Sequence, residues 1–579
     1  MNRSYRLIWN ESTQTYAVAP ERTRAGGRRS MGLTLAAAGL VSLSPILGQA
    51  ADLPRGGTVV QGSGSIAQAG NTLTISQSSQ NLQLNWQQFN IGAGKQVQFV
   101  QPGTAAVAVN RVLGNDPSNI YGSLKANGQV FLINPNGVLF GKSSSVDVGG
   151  LVASTLDLKN TATPTEAKLT GNGGTVVNQG SLRAADGGYI ALLGQQVTND
   201  GTITARLGTV ALGAGNAATL QFAGNRLINV QVDSGQLRTL AANHGLIQAD
   251  GGTVLMTAAT ADKVLDAVIN NDGVIEARTF NQHGGVIKLL GGSGGGTVQV
   301  NGRLDASAPG GGDGGQIETS GAHVKVADGA SITTVAAHGR GGTWLLDPTD
   351  FTIAPVGGDI TGAQLSALVQ SNSTTKLSAD GASGSNGDIN VNDVVSWSTS
   401  NTLTLSATHN VNVNSIISAS GTTAGLVMTP GVGGTFNLGS GGRIDLTGAH
   451  PSLTIAGQAY TVINNSGGPG TAAQALQNIT SNLSGNYALG SNVDLASIAQ
   501  FQPIGFNAQM LTAAPFSGVF DGLGHTIQNL TISGPPPGAG LFWSSTNSLR
   551  NVGLLNANVV GTSTTMPGFG AGPVGLLAA

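Results

Sequence analysis

The sequence predicts an all-β chain wound as a parallel β-helix, and three observations lead there. Glycine supplies 89 of 579 residues, about twice its ordinary usage. Charged residues are only 9%, too few to coat exposed helices, while a hydrophobic fraction of 40% is too apolar for a disordered chain. A loose unit also recurs from residue 175: NQGSLRA (178–184), NDGTITA (199–205), NHGLIQA (243–249), NDGVIEA (271–277) and NGRLDAS (301–307). Repeats spaced by 20–50 residues indicate a solenoid, because one coil cannot bury its apolar face alone.

Within each unit apolar and polar residues alternate, as they do in strands with one buried face. A second unit is interleaved: DGGYIALLG (186–194), DGGTVLM (250–256), HGGVIKLLG (283–291) and GGQIETSG (314–321). Asn-Gly and Asp-Gly are expected to supply positive-φ corners between strands. Inward Val, Ile and Leu of successive coils then stack into one apolar column. Propellers and strings of β-sandwiches would show regular blade signatures or closely spaced hairpin turns, and neither is visible.

The chain opens on an address. Arg28 and Arg29 precede an apolar run from Met31 to Leu47 with Pro45 near its end, and small Gly48 and Ala50 precede a cut before Ala51. This is a secretory signal, too short for a comfortable membrane span. The preceding segment, with YRLIWN and YAVA, resembles the extended signal-peptide region of very large secreted proteins of Gram-negative bacteria. Six arginines and two acids lie in these first fifty residues, which leaves 20 basic and 26 acidic residues beyond them. No basic stripe survives, so nucleic-acid binding is not expected. There is no cysteine, which excludes disulfides and thiolate metal sites and suits a chain that crosses a narrow pore unfolded.

The strongest local signal is FLINPNGVLFG at 131–141. Asn134 precedes proline and is driven to extended geometry. Pro135 fixes φ near −65°, and Asn136 and Gly137 complete a type I or II turn. Two-residue hairpins want positive φ where Pro135 sits, so the turn suits a corner between faces.

Residues 86–158 carry FNIGAGKQVQFVQP, NRVLG, IYGSLKANGQVFLINPNGVLFG and GGLVASTLDL. Together these closely resemble the N-terminal secretion domain of two-partner-secreted exoproteins, the filamentous haemagglutinin family. The variant looks most like the high-molecular-weight adhesins and haem–haemopexin utilisation proteins. The resemblance implies a right-handed β-helical secretion domain over 51–300, bound in the periplasm by the POTRA domains of a dedicated outer-membrane β-barrel transporter. It also implies export to the surface of a Gram-negative bacterium. The family's transport motif falls on Asn134, Pro135, Asn136 and Gly137.

After the signal region (1–50) and the secretion domain (51–300), residues 301–345 are expected to continue the β-helix. A boundary is set near 345, where Trp344, Leu345 and Leu346 are expected to pack at a junction. Residues 346–483, rich in Ser, Thr, Asn and Gly, read as further solenoid shaft. The stretches FQPIG, FSGVFDGLGHTIQNLTI and NVGLLNANVVG within 484–579 resemble a GLUG-type repeat region. The closing AGPVGLLAA reads as the opening of another coil without a polar cap, which suggests a longer parent chain.

Reactive chemistry is sparse. His244, His283, His323, His338, His409, His450 and His525 show no metal-ligand spacing and are expected at turns or on the surface. Asp305 and Asp313 are the carboxylates most easily imagined in a glycan-active site, yet they lack a cluster of partners. The expectation is a non-enzymatic surface adhesin with no cofactor or metal, binding a host-cell receptor or glycan. Haem–haemopexin scavenging and a secreted glycan-active enzyme are the alternatives.

Overall fold

The computed structural model describes residues 5–10, 15–20 and 53–561, apart from 160–164, 172, 235–238, 260–267, 293–295, 382–384, 469, 508–511 and 535–539. The apolar signal run at 31–47 and the closing segment at 571–579 lie outside the described residues. Residues 1–49 form one compact unit and 50–579 another. In the first, Tyr5–Asn10 pairs antiparallel with Thr15–Pro20, setting Leu7 opposite Val18 and Trp9 opposite Tyr16.

The second unit is a parallel β-helix. Its strands show the alternation that the sequence predicts: Thr402–Ala407 sets Leu403, Leu405 and Ala407 inward and Thr402, Thr404 and Ser406 outward. Each strand pairs in register with its equivalents one coil away. On one face Thr209 meets Thr253, which meets Val286, which meets Gln316 and then Thr343. Another face is an eight-stranded parallel sheet running from Ser118–Ile120 to His323–Val326. The first coil is covered by antiparallel strands, Thr58–Gln61 against Asn81–Trp86 and Gly64–Ala69 against Thr72–Gln77. Inward side chains from Leu53 to Ile455 form one apolar column.

One excursion leaves the coil path. Asp157–Leu158, Glu166–Thr170, Ala217–Ala223 and Arg226–Ser234 form an antiparallel sheet. Leu220, Phe222, Leu227 and Val230 from it cover Phe131, Val152, Tyr189 and Ala191 on the outer face of the coils. Gln129–Ile133 is therefore buried on both faces. The Tyr189 hydroxyl donates to Gln129 Oε1 at 2.6 Å, and burial raises its phenol far above the ordinary value. The excursion also explains why one repeat spacing is 44 residues while its neighbours are 21 and 28.

The glycines of the Asn-x-Gly units correct an expectation. Gly180, Gly201, Gly245 and Gly273 do not adopt positive φ. They are required for close approach instead: a Cβ on Gly201 would lie 2.2 Å from the Gly180 carbonyl oxygen, and one on Gly245 would lie 2.1 Å from that of Gly201. Positive φ falls in the second unit, at Gly187 and Gly251.

Beyond Thr343–Asp347, Trp344 and Leu346 point into the column, whereas Leu345 faces outward in register with Glu318 and Lys376. A helix interrupts the shaft at Gly362–Ser371 (α1), a departure from the all-strand expectation for 346–483. Thr361 caps it, its Oγ1 accepting from the Gln364 amide, and Leu365, Leu368 and Val369 face the column. The helix packs between the strands Ser331–Thr333 and Val395–Trp397. Buried Asn372 closes it, donating to Ile332 O and accepting from Thr334 N.

Ser452–Ile455 and Gln458–Ile463 then form a hairpin across Ala456 and Gly457, both at positive φ, as a tight hairpin demands. Past it a second core gathers Phe501, Phe516, Phe520 and Phe542 around Ile463, Leu489 and Ile527. Its coils again pair in parallel, Tyr487 with Phe520 and Phe520 with Leu549.

Candidate functional site: the Asn134–Gly137 corner

Gln129–Ile133 and Val138–Phe140 lie in different sheets, so the turn between them is a corner of the coil. Gly137 N donates to Asn134 O at 3.1 Å. Asn136 does not adopt positive φ, which selects type I over type II. Gly137 itself sits at φ 127°, a region that favours glycine.

Asn134 is fully buried, and every hydrogen-bonding atom of its amide is engaged. Its Nδ2 donates to Asp116 O and Ser118 Oγ, both at 3.0 Å, and its Oδ1 accepts from the Asn136 backbone N–H at 3.0 Å. The backbone extends the clamp in both directions. Asn134 N donates to Ser154 O, Ser118 N to Gly137 O and Gly174 N to Pro135 O. Pro135 and Asn136 stand exposed at the tip, with Asn136 Nδ2 bonded to Gly114 O at 2.9 Å. Four consecutive residues thus divide: Asn134 and Gly137 hold the corner against neighbouring coils, and Pro135 and Asn136 present it.

Other motif residues turn out to be internal locks. Asn110 accepts from Trp86 Nε1 at 3.0 Å and donates to Phe131 O. Gln101 donates to Gln77 Oε1 at 3.0 Å and accepts from Gly128 N at 2.9 Å. The largest feature missed from sequence is a buried amide ladder. Asn178 Nδ2 donates to Asn199 Oδ1 at 2.7 Å, Asn199 to Asn243 at 2.8 Å and Asn243 to Asn271 at 2.8 Å. All four are the leading asparagines of the repeat unit, and all are fully buried. The signal is one residue type recurring at one register, which in sequence is indistinguishable from turn chemistry.

The carboxylates weighed for catalysis are each engaged by an arginine. Asp305 is buried, pairs with Arg303 and accepts from Ser307 N at 2.9 Å. Asp313 pairs with Arg340 at 2.9 Å, and the Arg340 backbone and side-chain donors hold its carboxyl below the usual range. His244 pairs with Asp272 and His409 with Asp388. His525 departs from the surface expectation: it is buried, with Nε2 at 2.9 Å from Ile444 O.

Comparison with known proteins accounts for this architecture. Residues 50–306 match the TPS secretion domain, and residues 1–50 match the extended signal peptide of type V secretion systems. The chain is 34% identical over 272 residues to a heme/hemopexin-binding protein of Haemophilus influenzae, covering 44% of this chain and 29% of that protein. It is 48% identical over 87 residues to another so named from the same species, covering 15% of this chain and 9% of that one. The chain therefore spans under a third of the length of these relatives. The crystal structure of the HMW1 secretion domain from Haemophilus influenzae superposes with a TM-score of 0.51 at 25% identity, over 69% of this chain and 100% of that one. The two matched segments indicate passage through the periplasm and secretion or surface display by a Gram-negative bacterium, and a TPS domain implies a cognate outer-membrane transporter. With an extended type V signal peptide joined to a TPS secretion domain, the chain belongs to the two-partner secretion exoproteins.

Proposed function

We propose that the chain works at the cell surface as a non-enzymatic adhesin rod, and that Asn134–Gly137 is the export determinant read by the POTRA domains of its transporter. The observation that carries the export reading is the division of the corner. The buried Asn134 amide ties the coil to the one before it, and the tip residues Pro135 and Asn136 stand exposed where a partner can read them, Asn136 held in place by its bond to Gly114 O. The rod reading rests on the continuous apolar column from Leu53 to Ile455, topped by the second core, for which 484–561 is taken as a GLUG-type region.

The test separates contact from scaffolding in cells that carry the cognate transporter. Pro135→Ala combined with Asn136→Ala is expected to cut secreted full-length chain about tenfold or more while leaving its melting within a few degrees of the parent. Asn134→Ala is expected to lower both. Full secretion of the tip variant would show that the motif serves the fold alone. Haem–haemopexin capture is the second reading, favoured by the names of the relatives. Retention of haem-loaded hemopexin by the secreted chain would establish it.

A further inference from the structure

Beside the second core lies an open groove of about 630 Å³, within the range of small-ligand sites. We propose that this groove, floored by Asn492, Asp494 and Gln528 and walled by Asn465 and Ser497, binds a neutral saccharide. The proposal rests on the adhesin reading and gives that reading a place and a ligand class.

The floor is the outer face of the distal coils. Val493–Asp494 pairs with Thr526–Gln528, which pairs with Gly553–Leu555, so Asp494, Gln528 and Leu555 stand in one outward column. The polar groups are pre-oriented by the fold. Asp494 Oδ1 accepts from Ala496 N at 2.9 Å and from Asn529 Nδ2 at 2.8 Å, which leaves Oδ2 to a ligand. Those donors, the Asn529 amide first, hold the carboxyl below its usual range, so it is an acceptor at neutral pH. Asn465 Nδ2 donates to Asn492 O at 3.0 Å, and Gln528 Nε2 to Thr526 Oγ1 at 3.3 Å.

The lining narrows the ligand class. Among the described residues no Lys, Arg or His lines the groove, so sialylated, sulfated or phosphorylated groups would face a carboxylate with no cation to meet them. Its apolar surface comes from Gly468, Gly470 and Ala496 and from side-chain stems, with no aromatic or long aliphatic side chain for a lipid and no His, Cys, Met or Tyr to ligate haem among the described lining residues. One carboxylate is too few for a dedicated calcium cage. What remains is a set of amide donors and acceptors, one hydroxyl and one fixed acceptor, which suits vicinal hydroxyls. Leu555, 48% exposed one coil further along the column, offers the apolar contact that a sugar's C–H face takes.

The experiment uses the full secreted chain on an array of neutral, sialylated and sulfated oligosaccharides, with host-cell adhesion measured in parallel. Neutral glycans are expected to be retained with little dependence on salt. Asp494→Asn with Gln528→Ala is expected to weaken that retention at least about tenfold, since each removes a partner of a ligand hydroxyl. Ser497→Ala, whose hydroxyl has no protein partner among the described residues, is expected to weaken it about threefold and keeps the test open should the double variant misfold. Retention of charged glycans only, or undiminished binding by both variants, overturns the groove and leaves the adhesin reading standing if cells still bind. Failure of the parent to adhere to any cell or glycan overturns both.

Discussion

In the proximal coils four asparagines, Asn178, Asn199, Asn243 and Asn271, turn inward and bond side chain to side chain along the solenoid. In the distal coils, asparagines mark the corners instead. Asn529 and Asn556 take positive φ at equivalent places one coil apart, and Asn551 and Leu523 take it as well. The interiors differ as well. Beside the proximal ladder lie Val, Ile and Ala, and the amide column itself is bounded by Phe140 before it and Val300 after it. The distal interior is aromatic, with the Phe542 ring 4.9 Å from Phe516 and 5.2 Å from Phe520. An amide ladder specifies register, because slipping one coil by a residue would pull an asparagine out of line and leave its neighbours unsatisfied. Aromatic packing fills volume with less demand on register, and the left-handed asparagines then carry the burden of fixing the corners.

The sharpest way to break this contrast is to remove a middle rung. Asn243→Leu takes the donor from Asn271 Oδ1 and leaves Asn199 Nδ2 with two long contacts, 3.3 Å to Gly201 O and 3.5 Å to Leu246 O. Each weakened or stranded amide costs about 1–3 kcal/mol, so a loss of about 2–6 kcal/mol is expected in the proximal coils. Hydrogen exchange read strand by strand should show faster opening at 196–199 and 269–271, with the strands at 520–528 unchanged. Equal acceleration in both regions would mean that the ladder is not a local register device.

A smaller effect should appear at a distal corner. Asn556 is exposed at φ 52° and bonds to no described side chain. Asn556→Ala is expected to cost about 1–2 kcal/mol, because alanine lacks the local bonding that lets asparagine visit this region. Asn556→Gly should recover most of that loss in a denaturant melt. If alanine is neutral there, the left-handed corners are incidental to the distal winding.

The same contrast explains what the sequence could and could not reveal. Coil structure was legible because alternation and repeat spacing are local: the leading asparagines sit 21, 44 and 28 residues apart in the sequence and bond to one another at those separations. The Pro135 corner was legible for the same reason, since proline restricts its own residue and the one before it. The inward direction of the asparagines was not. A polar residue next to glycine ordinarily signals a turn, and burying it is favourable only when the coils on either side place the same amide at the same height. That condition is set by stacking, yet the invariance of Asn beside a varying Gln, Asp or His was a visible trace of it. Helix α1 had local marks, a Thr361 cap and apolar Leu365, Leu368 and Val369, hidden within a stretch otherwise composed like shaft. Which corner residues of 134–137 stay exposed depends on coils 114–118 and 154–174, and no local rule supplies that.

The smallest expected effect concerns the join between the two regions. His525 lies 81 residues beyond Ile444 in the chain, yet its Nε2 meets the Ile444 carbonyl at 2.9 Å, and Asp445 lies 3.4 Å away. Leu523 beside it belongs to the first apolar column and Ile527 to the second core. Burial pushes the imidazole below its ordinary value, opposed by the Ile444 carbonyl and Asp445 and assisted by Arg443. The folded form therefore favours neutral histidine. Its contribution is fully present above the unfolded value of about 6.5 and is lost as pH falls through that value toward the folded one. The asparagine ladder carries no titrating group, so acidification from about pH 7.5 to 5.5 should loosen the strands at 443–446 and 526–528 while leaving 196–199 and 269–271 protected. His525→Gln, which keeps a donor for Ile444 O, should remove that step. A step of equal size in both regions, or one that survives the substitution, would place the acid-sensitive contact elsewhere and leave the join held by packing alone.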